Sequence, residues 1–165
     1  MGLAVSSIAA YLFAVRQPLA AAAFIMLMGL CDALDGGVAR LTGKVSGFGA
    51  TLDASIDRYT EFLQALGIAL GGYVDWPLSM AVAFTMGASS YVRARAESTG
   101  GMKECSVGLI ERPEKLLLLI AGAILTVWFN KSLEFVFWVI LVLGQFTVLQ
   151  RLSANWRHSR SISNR

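Results

Sequence analysis

Asp32, Asp35, Asp53 and Asp57 put four carboxylates into a chain whose remaining composition is that of a membrane protein. On helices, their spacings of three and four residues place each pair on one face. Each such charge near mid-bilayer costs roughly 2.5–3.5 kcal/mol on insertion scales, so four are tolerable only if gathered around something positive. Carboxylate oxygens are hard ligands, and two clusters of them suit magnesium, manganese or calcium rather than zinc. The only histidine, His158, sits in a basic C-terminal stretch, which excludes a histidine-based metal site or triad. The chemistry expected is that of a divalent-cation centre built from aspartates.

The elements that must position these residues are helices. Of 165 residues, 56% are hydrophobic and 15% charged, and the mean hydropathy is +0.61. That is too apolar and too weakly charged for an ordinary soluble fold. A lipid-exposed backbone must satisfy its own hydrogen bonds, and the chain has only three prolines. The fold class expected is therefore all-α, an integral membrane bundle. The length allows one domain. Cys31 falls in an apolar run and Cys105 in a polar link, which argues against a disulfide framework. No nucleic-acid partner is expected.

Six hydrophobic spans are legible, at 1–15, 18–36, 46–74, 77–97, 113–129 and 132–150. They define a membrane domain over 1–150 and a basic cytoplasmic tail over 151–165, expected to be disordered or to lie on anionic headgroups. The first span reaches about 22 Å, short of the ~30 Å hydrocarbon core, so Met1 is expected to lie inside a span with a truncated N-terminus. The third is polar over 47–61 and apolar over 62–74. Twelve of fourteen basic residues gather on one side of this arrangement, and only Arg16 and Lys131 fall opposite. By the positive-inside rule that side is cytoplasmic, and all four aspartates approach it. The protein is thus expected in the cell membrane with its active side facing the cytoplasm. Ala65, Gly67, Ala69, Gly71 and Gly72 let helices approach closely. Ordinary packing explains them, and a homodimer seam is their second use.

Written out from Asp32 to Asp57, the constellation is D-x2-D-G-x2-A-R-x8-G-x3-D-x3-D. It resembles the signature of the CDP-alcohol phosphotransferases at every defining position. The resemblance implies displacement of CMP from a CDP-linked lipid by an alcohol hydroxyl attacking the lipid-side phosphorus. It implies that Asp32, Asp35, Asp53 and Asp57 hold two divalent ions, magnesium or manganese, and that Asp57 also serves as general base. Gly36 and Gly49 would let the nucleotide approach the backbone, Ala39 would leave room for the cytidine, and Arg40 would contact the nucleotide. Asp32 and Asp53 would face the CDP group as well. A two-metal clamp suits a pyrophosphate because it stabilises attacking and leaving oxygens together.

The acceptor must be read outside this motif. Arg93 and Arg95 end the fourth span, Arg112 opens the fifth and Arg151 closes the sixth. Arginine forks bind phosphate oxygens in bidentate fashion, which suits an acceptor that already carries a phosphate. The alternative use of these charges is topological anchoring. The segments around Arg95, Arg112 and Arg151 are similar to those of the phosphatidylinositol-phosphate synthases of actinobacteria and their archaeal counterparts. That likeness implies inositol 1-phosphate as acceptor, with Arg93, Arg95, Arg112 and Arg151 on its phosphate. It implies CDP-diacylglycerol or CDP-archaeol as donor, and a phospholipid-biosynthetic role. Arg93 stands where a lysine is frequent in the actinobacterial members. Other readings are a phosphatidylglycerophosphate synthase, a di-inositol phosphate phosphate synthase using CDP-inositol, and a divalent-cation transporter. The last lacks the broken helices or repeats usual in transporters.

Overall fold

The computed structural model describes the backbone over 2–41 and 46–163 and side chains over 2–34 and 46–161. Six helices make up the fold: α1 (Gly2–Ala14), α2 (Pro18–Leu41), α3 (Gly47–Leu70), α4 (Trp76–Ser98), α5 (Arg112–Leu125) and α6 (Ser132–Ser163). No strand occurs among the described residues. Helix starts follow local chemistry. Ser46 caps α3 by accepting the Gly49 N–H at 3.0 Å. Pro18, Pro77 and Pro113 fall in first turns, where a missing N–H does no harm. At the end of α3, Gly72 takes a φ of 71° and the chain reverses, a left-handed conformation that glycine adopts without strain.

Neighbouring helices meet in the order α1, α3, α4, α6, α5, α2 and back to α1. This closed ring leaves α3 and α5 facing each other across its interior. An apolar core within the bundle includes Phe13, Ile25, Ile68, Val82, Leu119 and Phe137. Asp57, Glu61, Arg112 and Lys115 give the interior its polar part. Phe84, Trp128, Phe135 and Leu117 point outward and are more than 60% exposed, an outer surface that suits lipid better than water. By length and composition, α6 over Ser132–Ser161 is the one helix among the described residues able to cross a membrane alone.

The tightest seam joins α1 to α3. A Cβ on Gly67 would lie 2.3 Å from the Ala10 carbonyl oxygen, and one on Gly71 the same distance from that of Phe13. These two glycines therefore serve packing within the chain, the first of the two uses expected. Arg16 strengthens the same seam by donating from Nε to the Gly71 carbonyl at 2.9 Å. Because the clash is with backbone, Gly67→Val should destabilise the protein by about 1–3 kcal/mol, the usual cost of overpacking. A thermal melt in detergent checks this, and an unchanged midpoint would show that the seam yields.

The C-terminal stretch departs from expectation. Where disorder was one expectation after 150, α6 runs on to Ser163 as one helix. Its extension reaches the turn after α4, with Asn155 Nδ2 donating to the Gly100 carbonyl at 3.4 Å and His158 Nε2 lying 3.2 Å from Gly101 O. Arg160 stacks over Trp156 one turn earlier, 4.1 Å from its ring centre. These contacts give the polar residues partners and keep the helix going.

Candidate active site

A cavity of about 320 Å³ opens between α3, α4, α5 and α6, with Asp57, Arg93, Glu111, Arg112 and Arg151 among its walls. Asp57 reaches it from the middle of α3, Arg93 from the last turns of α4, and Arg112 from the first turn of α5. The most consequential contact is a bridge. Arg112 Nη2 lies 2.8 Å from Asp32 Oδ2, and its Nη1 lies 2.7 Å from Asp57 Oδ1. One planar fork thus spans carboxylates from α2 and α3. Two carboxylates this close repel unless a cation sits between them, and here the cation is Arg112.

Asp32 Oδ2 is buried and, despite its short approach to Arg112, accepts no aligned hydrogen bond. The guanidinium satisfies its charge better than its lone pair. A buried oxygen in that condition, beside a second carboxylate, fits a divalent cation. Asp53 stands one turn before Asp57 on α3 and is exposed. Asp35, Gly36, Ala39 and Arg40 lie in the last turns of α2, and their side chains fall outside those described. Among the described residues, no group of three or more acidic, histidine or cysteine side chains is gathered for a metal. Gly49 has a local reason to be glycine, since a Cβ there would press to 3.0 Å of the capping Ser46 hydroxyl.

The basic wall is organised by acids that the sequence reading passed over. Arg93 Nε donates to Glu97 Oε1 at 3.1 Å, and its Nη1 lies 3.9 Å from Glu111 Oε1. Arg151 is almost fully buried. It donates to the Ser89 carbonyl at 2.7 Å and the Val107 carbonyl at 2.9 Å, with Glu111 at 3.5 Å. Thr147, one turn earlier on α6, accepts the N–H groups of Leu109 and Ile110, both at 3.2 Å. The loop before α5 is thereby pinned to α6, which sets where Arg112 starts its helix. Glu97 and Glu111 were legible as charges near the arginines, but only the fold brings them face to face.

Arg95 is not part of this wall. Two positions beyond Arg93, it points nearly to the opposite side of α4, as 100° per residue requires. There it lines a separate cavity of about 350 Å³ with Tyr91, Thr99, Leu152 and Asn155. Of the four arginines expected on one phosphate, the fold brings three together and sends Arg95 elsewhere.

Residues 1–150 match the CDP-alcohol phosphatidyltransferase family. The chain belongs to that family. Its relatives include the archaetidylinositol phosphate synthase of Methanothermobacter thermautotrophicus, 35% identical over 82% of this chain and 69% of the relative. The same-named enzyme of Pyrococcus horikoshii is 32% identical over 92% of this chain and 78% of its own length. The phosphatidylinositol phosphate synthase of Mycobacteroides abscessus is 38% identical, over 79% of this chain and 62% of the relative. The fold is similar to crystal structures of the Mycobacterium tuberculosis phosphatidylinositol phosphate synthase. One with CDP-DAG bound has a TM-score of 0.83 at 31% identity, covering 94% of this chain and 82% of that one. Another, in complex with manganese and citrate, also scores 0.83 and covers 78% of that chain. This CDP-alcohol phosphatidyltransferase is therefore an enzyme, a transferase of phospholipid biosynthesis.

Proposed function

We propose that this CDP-alcohol phosphatidyltransferase moves a phosphatidyl-type group from a CDP-linked lipid, CDP-diacylglycerol or CDP-archaeol, to inositol 1-phosphate and releases CMP. One observation carries the acceptor: Arg93, Arg112 and Arg151 converge from three helices on the cavity that holds Asp57. Three convergent arginines would be wasteful in a site for a neutral alcohol; a phosphate dianion uses them. The names of the archaeal and mycobacterial relatives agree with this reading.

Asp32, Asp35, Asp53 and Asp57 hold two divalent ions, magnesium or manganese, which when bound would polarise the pyrophosphate of the donor and stabilise its leaving oxygen. Asp57 takes the proton of the acceptor hydroxyl as that oxygen bonds to the lipid-side phosphorus and the bond to CMP breaks. Asp32 and Asp53 face the CDP group, with Gly36, Ala39, Arg40 and Gly49 lining its place. Arg93, Arg112 and Arg151 hold the acceptor phosphate so that its reacting hydroxyl stays near Asp57, an orientation effect. The six helices span the cell membrane with this cavity opening to the cytoplasm, a placement supported by twelve of fourteen basic residues on one side.

The test is CMP release from purified protein in lipid with CDP-diacylglycerol and magnesium, offering inositol 1-phosphate, free inositol, glycerol 3-phosphate and serine in parallel. Turnover with inositol 1-phosphate alone is expected. Turnover with glycerol 3-phosphate instead would keep the chemistry and move the protein to a different acceptor.

A further inference from the structure

Glu61 and Lys115 form the most deeply buried ion pair among the described residues. Lys115 Nζ donates to Glu61 Oε1 at 2.6 Å, and the two side chains are 6% and 5% exposed. Arg58 Nη2 lies 3.3 Å from Glu61 Oε2, an oxygen with no aligned hydrogen bond. Well-packed apolar residues of the same volume would often be as stable as such a pair, so stability alone is a weak reason to keep it.

Its position supplies another reason. Asp57 and Glu61 share one face of α3, one turn apart, while Arg112 and Lys115 share one face of α5. These helices are not neighbours in the ring, and side chains reach between them across its interior. Asp57–Arg112 at 2.7 Å and Lys115–Glu61 at 2.6 Å are thus two rungs between them. The first must open during the proposed reaction, because Arg112 cannot hold both aspartates and the acceptor phosphate with one fork. The second lies one turn further along both helices, nearly buried, with Lys115 and Arg58 at the edge of the same cavity.

We infer that Glu61 and Lys115 are positioning residues. Their buried pair keeps α3 and α5 at a fixed separation when the Asp57–Arg112 rung opens. Since α2 packs on α5, that separation also sets the spacing between Asp32 on α2 and Asp57 on α3. Removing Glu61 would leave Lys115 buried without its counter-charge and facing the partly exposed Arg58, a like-charge contact that pushes α5 away from α3. The inference rests on the proposed cation centre.

The experiment measures Mn²⁺ binding, from the electron paramagnetic resonance signal of free ion, beside CMP release. It compares wild type, Glu61→Gln, Lys115→Met, Lys115→Arg and the Glu61→Gln/Lys115→Met double variant. Both neutralising variants should bind Mn²⁺ about 10-fold more weakly and lose about 10- to 100-fold in kcat, as expected when a reacting group shifts by an ångström or less. The acceptor KM should move less than about 3-fold, because the arginines holding the phosphate remain. Lys115→Arg should stay near wild type, and the double variant should lose no more than the worse single one. Wild-type Mn²⁺ binding and kcat in Lys115→Met, with only a lower melting point, would overturn the inference, as would additive losses. Should Glu61→Gln not fold, the two Lys115 variants read the same pair. A wild type that binds no Mn²⁺ would overturn the cation centre and this role together. Turnover with an unexpected acceptor would overturn only the acceptor assignment, and intact Mn²⁺ coupling would still support the positioning pair.

Discussion

Asp57→Asn is expected to lower CMP release by about 10²–10⁴-fold, the range for a lost general base, while helix content stays unchanged. The substitution is nearly isosteric, and the side chain lies at the cavity wall outside the apolar core, so folding has little at stake. What is lost is charge. The amide still accepts a hydrogen bond from Arg112, but it neither takes a proton from a hydroxyl nor balances a divalent cation. Raising magnesium should recover any part of the loss that comes from weaker cation binding and leave the part due to proton transfer. Near-normal release at saturating magnesium would remove Asp57 as base.

Arg112→Gln should weaken binding of the acceptor and strengthen binding of the divalent cation. The acceptor KM should rise roughly 10- to 150-fold, the equivalent of the ~1.5–3 kcal/mol carried by a hydrogen bond to a charged group. Affinity for the divalent cation should rise, because Arg112 occupies the carboxylates of Asp32 and Asp57 and must be displaced. Acceptor titrations and Mn²⁺ binding measured on the same preparation test both halves. An unchanged acceptor KM would argue against the arginine pocket; unchanged cation affinity would mean that the guanidinium does not compete. Arg151 makes an informative contrast. Its donors are committed to the Ser89 and Val107 carbonyls, so loss there disturbs the loop before α5 together with any phosphate contact.

Much of this was legible along the chain. The six helices fall on the six apolar segments because helical hydrogen bonding is satisfied locally and apolar runs report it directly. The family and its aspartate motif were legible for the same kind of reason. Residues three or four apart on a helix share a face whatever the rest of the fold does, so the pairing of Asp53 with Asp57 needed no tertiary information.

What lies between helices was not legible. Arg93 and Arg95 look equivalent in sequence, yet helical rotation sends one into the cavity and the other to a different groove. Glu61, Glu97, Glu111 and Lys115 read as scattered charges until the ring order places α3 opposite α5 and the end of α4 beside α6. Arg112 reads as a phosphate ligand, and only the fold shows it bridging two aspartates. The apolar pattern of a helix specifies which face turns inward, but not which partner it meets there. That choice depends on close approaches such as Gly67 against Ala10, made between residues far apart in the chain.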